Sequence, residues 1–150
     1  MGQLITVPAE MLGELRNGLH TNLGDAAHGI SQITDTGGRE RHPEWYAEHR
    51  ERFERTCALL DLIGWSELKQ TAAIQVDLRR HAQAMIEALD VRLLVAEDDL
   101  KEADTVDAER AKRGEPPKRQ QTVERVEAVR EFAATVKDLA GVAFKKGAGR

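Results

Sequence analysis

The chain is poor in the residues that most often carry chemistry. One cysteine, Cys57, in 150 residues excludes an internal disulfide framework and any zinc site built on cysteine pairs. Cys57 lies in an apolar helical stretch near Phe53 and Leu60, the setting of an inert thiol rather than a nucleophile. Aromatics are only 4% of the chain, a scarcity that favours long helices over sheets. No run approaches the ~18 to 20 apolar residues of a membrane span, and no basic region followed by an apolar one opens the chain. A cytoplasmic protein is therefore the expectation. Gly-x-Ser-x-Gly, a phosphate-cradling glycine loop after a strand and a paired His-x-x-x-His are all missing. These gaps point to a non-enzyme with no cofactor.

An excess of positive charge is lacking as well. The formal net charge of -4 disfavours nucleic acid, whose binding rests largely on neutralised phosphates. It equally disfavours attraction to an anionic membrane surface.

Charge and helix formers are what the chain has in plenty. Asp, Glu, Lys and Arg make up 32% of it, and Ala, Glu, Arg, Leu and Val dominate. A length of 150 residues suits one domain with a shared core. Proline and glycine, the punctuators, divide it into four stretches of helical spacing, 7–34, 43–63, 66–113 and 118–145, with 146–150 as a flexible tail. In the first, Thr6 reads as the cap, Pro8 falls in the opening turn, and Leu12, Leu15, Leu19, Leu23 and Ala26 form the apolar row. The Gly2 and Thr6 pair also fits the loose pattern for N-terminal acylation, but no polybasic second signal accompanies it. Gly13, Gly18, Gly24 and Gly29 interrupt this stretch, each costing roughly 0.5 to 1 kcal/mol relative to alanine. Either they admit a close neighbour or this helix is the weakest of the set.

Pro43 opens the second stretch and Gly64 closes it, with Trp45, His49, Phe53, Thr56, Leu60 and Ile63 on one face. Ser66 reads as the cap of a long helix that runs to Gly114 without proline or glycine. Its row comprises Leu68, Ala72, Ala82, Ile86, Leu89, Leu93, Ala96, Leu100 and Ala103, with a second row of Ile74, Leu78, Met85 and Val95. After the Gly114 to Pro117 turn, Val123, Val126, Val129, Ala133, Val136 and Ala140 mark the last helix, supported by Phe132.

The expected architecture is all-α: an antiparallel bundle of four helices with one long central helix and a protruding C-terminal hairpin. Such a hairpin exposes apolar surface that a second copy would cover, so a homodimer is expected. Its interface residues are Ile86, Leu89, Leu93, Leu100, Val126, Val129, Phe132 and Val136. The competing arrangement breaks the long helix near Asp104 and Thr105 and folds the last helix onto a compact monomer.

Few residues suggest a chemical site. Asp25-x-x-His28 resembles half of a di-iron motif, but it occurs once and faces away from the apolar row. His20 and His42 read as surface and loop residues. Asp77 and His81 fall one helical turn apart, and His49 lies on the inner face of the adjacent helix. These three are the candidates for a metal or small-ligand site. Glu97, Asp98, Asp99, Glu102, Asp104 and Asp107 make an acidic band, and Arg110, Lys112, Arg113, Lys118 and Arg119 a basic tip. The functional expectation is a protein-protein interaction module, an oligomeric adaptor or regulatory subunit with an unknown protein partner. The alternative is a small-ligand or metal-binding bundle.

Overall fold

Val7 precedes Pro8, and the proline ring pushes the residue before it towards extended backbone. In the computed structural model, which describes residues 3–66 and 72–148 with backbone alone over 142–148, that constraint ends strand β1, Leu4–Val7. Its partner is β2, Ile74–Asp77. The two run antiparallel, with Leu4 opposite Asp77 and Val7 opposite Ile74. The pleat turns Ile5, Val7 and Val76 inwards, where all three are buried.

The remaining elements are helices: α1 Ala9–Asp35, α2 Gly38–Arg41, α3 Pro43–Ile63, α4 Leu78–Lys112 and α5 Arg119–Ala148. The described chain is thus predominantly helical with one minor two-stranded sheet. α1 packs against α3 and α4, and α4 against α5. Each pair runs antiparallel: Gly29 meets His49 whereas Arg16 meets Gly64, and Asp90 meets Lys137 whereas Asp104 meets Arg119.

Three expectations need correction. The long helix does not start at Ser66. Ile74 to Asp77 are extended, and α4 starts at Leu78 with the Asp77 carboxylate accepting from the Arg79 amide at 3.0 Å. That cap supersedes Ser66; Leu68 lies outside the described residues, and Ala72 precedes the strand. At 35 residues, α4 is about 52 Å long at 1.5 Å per residue. It is also unbroken at Asp104 and Thr105. Thr6, read as a cap, lies in β1 opposite Gln75, and Pro8 is the residue that leads into α1. The last helix reaches Ala148, so 146–148 are not a tail; 149–150 lie outside the described residues.

The glycines of α1 have separate roles. A Cβ at Gly18 would stand 2.3 Å from the Ala88 carbonyl oxygen and 2.9 Å from the Ala88 Cα. No side chain fits between these backbones, so α1 and α4 touch main chain to main chain. A Cβ at Gly29 would meet the His49 ring at 2.7 Å. At Gly24 it would meet nothing within 4 Å.

Two substitutions therefore have opposite signs. Gly18→Ala forces the helices apart, costs about 2 kcal/mol and lowers the melting temperature by about 4 to 8 °C. Gly24→Ala gains about 0.5 to 1 kcal/mol from helix propensity alone. Thermal unfolding of both variants beside the parent chain checks the pair.

Candidate functional site

At the far end of α1 the chain turns sharply. Thr36 closes the helix by donating its hydroxyl to the Gln32 carbonyl at 2.9 Å, and Gly37 takes the left-handed conformation at φ 69°. The single-turn α2 follows, and Pro43 restarts the chain as α3. This corner leaves a cleft of about 560 Å³ between α1, α2 and α3, within the range of ligand pockets. Ile33, Gly29 and Gly38 form its apolar surfaces, Gln32 and Asp35 its polar ones, and His42, Trp45 and His49 complete it.

The aromatic wall is preorganised. His42 stacks on Trp45 with ring centroids 4.9 Å apart and planes at 24°, and Trp45 remains 60% exposed. The helical face expected to bury Trp45 does not: the residue borders the cleft that the end of α1 and α2 form beside the first turn of α3. His49, one turn on, lies over Gly29, and its Nδ1 is buried without a hydrogen-bond partner among the described residues. An uncompensated polar atom at a cleft costs free energy unless an incoming group meets it. The His42-x-x-Trp45 spacing was visible in the sequence, but only the α2 corner turns it into a wall.

His49, Asp77 and His81 do not form a site together. Among the described residues no three His, Cys, Asp or Glu side chains are placed to hold a metal ion. Asp77 is occupied as the cap of α4. His81 is buried on the first turn of that helix, and its pKa is lowered, chiefly by burial and further by Arg80, while Asp77 opposes. Cys57 is half-buried, and burial followed by the Asp61 charge raises its thiol pKa. A protonated thiol is a poor nucleophile.

The other end of α3 is pinned to α1. Buried Arg16 donates to the carbonyls of Gly64 at 2.9 Å and Ile63 at 3.3 Å, placing a cation at the negative end of the helix. The His20 Nε2 lies 2.9 Å from the Trp65 carbonyl oxygen, and the Trp65 indole donates to Asp61 at 2.7 Å. His20 is exposed, as its surface reading has it, and lies against this corner. Glu14 in turn ties α1 to both hairpin helices: its carboxylate accepts from Arg92 at 2.8 Å and from Arg125, which also reaches Asp99 at 3.0 Å. Burial raises the Glu14 pKa, but the two arginines outweigh it and the net shift is downward.

The acidic band and basic tip are largely matched inside the hairpin. Glu97 pairs with Arg130, Asp98 with Lys101, Asp104 with Arg119, Lys112 with Glu109, and Arg110 and Arg113 with Glu115. Asp107 accepts from the Lys118 and Arg119 amides at the start of α5. Of the expected interface residues, Leu89, Val126, Val129 and Val136 are buried by the chain's own elements, and Ile86, Leu93, Leu100 and Phe132 are half-buried. The apolar surface left open on α4 is Leu94, Val95 and Val106.

Comparison with known protein families, with curated proteins and with solved structures finds no match to this chain.

Two groups set the response to acid. His81 has a lowered pKa in the fold, so the unfolded chain takes up its proton first, and stability falls as pH drops below the ordinary imidazole value of about 6.5. Glu14 also has a lowered pKa; its contribution is present above the ordinary carboxyl range and is lost as pH falls through its folded value. Urea unfolding between pH 7 and pH 3 should therefore show two declines. His81→Gln flattens the upper one, and Glu14→Gln removes the lower one while costing about 2 kcal/mol at pH 7.

Proposed function

We propose that this protein is a non-catalytic helical contact module that engages another polypeptide through the α1–α2–α3 cleft, with Trp45 as the anchor. The observation that carries the reading is the indole left 60% exposed at the mouth of an apolar cleft and held in place by His42. A large aromatic kept rigid and half in water is the usual centre of a binding surface, because burying it loses little side-chain entropy. The homodimer expected from an overlong helix has weaker support now that α4 begins at Leu78 and the hairpin covers its own inner rows. A different protein is the favoured occupant.

A second reading takes a small organic ligand in the same cleft. It is favoured by the unpartnered His49 Nδ1, which a donor or acceptor on a ligand would satisfy. Of the candidate ligand residues His49, Asp77 and His81, this reading retains only His49.

Affinity capture from the source organism with the parent chain, Trp45→Ala and Leu94→Ala separates these outcomes. Under the proposal a polypeptide is retained by the parent and by Leu94→Ala, and Trp45→Ala loses about 2 kcal/mol of binding or more. Retention of the same proteins by all three chains refutes it. A small molecule carried by the parent and released on denaturation, seen by native mass spectrometry, favours the second reading. Concentration-dependent sedimentation of the parent alone would restore the dimer.

A further inference from the structure

The charges of α5 are sorted by side. Four of its basic residues turn towards α4 and α1 and are matched there: Arg119 by Asp104, Arg125 by Glu14 and Asp99, Arg130 by Glu97, and Lys137 by Asp90. Its acidic residues Glu124, Glu127, Glu131 and Asp138 are exposed, and among the described residues none of them has an ion-pair partner. Helical spacing puts Glu124, Ala128, Glu131 and Thr135 on one stripe. Among the described residues, pairing these four cations inwards leaves Glu124, Glu127 and Glu131 as an acidic outer side.

That stripe borders a groove. Between the start of α1 and the middle of α5 lies a cavity of about 270 Å³ whose apolar lining is Pro8, Met11, Ala128 and Phe132. Glu10 stands on the α1 side and Glu131 on the α5 side, both exposed, and among the described residues no lysine or arginine lines the groove. The two arginines that flank this part of α5 are held elsewhere, Arg125 by Glu14 and Asp99 and Arg130 by Glu97. An apolar floor between unneutralised carboxylates suits an apolar side chain flanked by cations, and it repels an acidic competitor.

We propose that the α1–α5 groove is a docking surface for a basic amphipathic polypeptide segment of another protein, which seats an apolar side chain on Met11 and Phe132 and sets lysine or arginine against Glu10 and Glu131. The surface lies apart from the Trp45 cleft and does not depend on it. Two docking surfaces on one small chain would let it join two partners.

The test uses the full chain and a capped 14-residue leucine/lysine amphipathic peptide, with its leucine/glutamate counterpart as control, followed by nitrogen-15 NMR at low salt. Shifts confined to Met11, Ala128, Phe132, Thr135 and their neighbours are expected with the lysine peptide and not with the glutamate one. Glu10→Gln with Glu131→Gln weakens binding about tenfold, whereas Glu51→Gln, an exposed acid on α3, leaves it unchanged. Shifts scattered over every acidic surface, equal loss with Glu51→Gln, or equal binding of the glutamate peptide overturn the proposal. So does a dilution series without peptide that moves the same groove resonances, because a second copy would then be the occupant.

Discussion

With no side chain at position 18, the backbones of α1 and α4 come into direct contact at Ala88, and the other packing follows from that crossing. Close main-chain approach fixes the distance between the two helices, because neither backbone can adjust as a side chain would. Around the crossing α1 makes its other attachments at helical intervals: Glu14 one turn before to Arg92 and Arg125, Arg16 and His20 on the adjoining face to the end of α3, and Gly29 beneath His49. One helix thereby sets the positions of three others. The two proposed binding surfaces lie at its opposite ends, where its neighbours stop covering it.

Electrostatics completes what the glycine allows. Glu14 is mostly buried, yet its carboxylate stays charged because two guanidiniums on two different helices share it. Burial of a carboxylate alone would favour its protonated form. The same economy of charge runs along the hairpin, where α5 spends its cations on the acids of α4. The basic tip is mostly neutralised within the hairpin, and the acids Glu124, Glu127 and Glu131, unpaired among the described residues, lie on the opposite side of α5.

Apolar rows, the Pro43 start and Gly64 end of α3, and the hairpin turn were legible because each depends on near neighbours in the chain. Leu12, Leu15 and Leu19 in α1, Leu60 and Ile63 in α3, and Val126, Val129 and Val136 in α5 are all buried as their spacing implies. The strands were not, because four residues of Ile-Gln-Val-Asp satisfy a helical row as well as a strand pattern. Their pairing with Leu4–Val7 joins segments some seventy residues apart in the chain, beyond any local signal. The site suffered similarly. Spacing along the helices groups His49 with Asp77 and His81, whereas in the fold its neighbours at the cleft are Gly29, His42 and Trp45.

Local chemistry in the sequence alone determined where the chain is helical in α1, α3 and α5 and which faces of those helices are oily, because period and punctuation act over a few residues. Tertiary structure alone decided that Gly18 is a contact and Gly24 is not, that Asp77 caps a helix instead of orienting His81, and that Trp45 stays in water. The physical reason is the same in each case. Those outcomes depend on what arrives from a distant part of the chain, and a residue carries no local record of it.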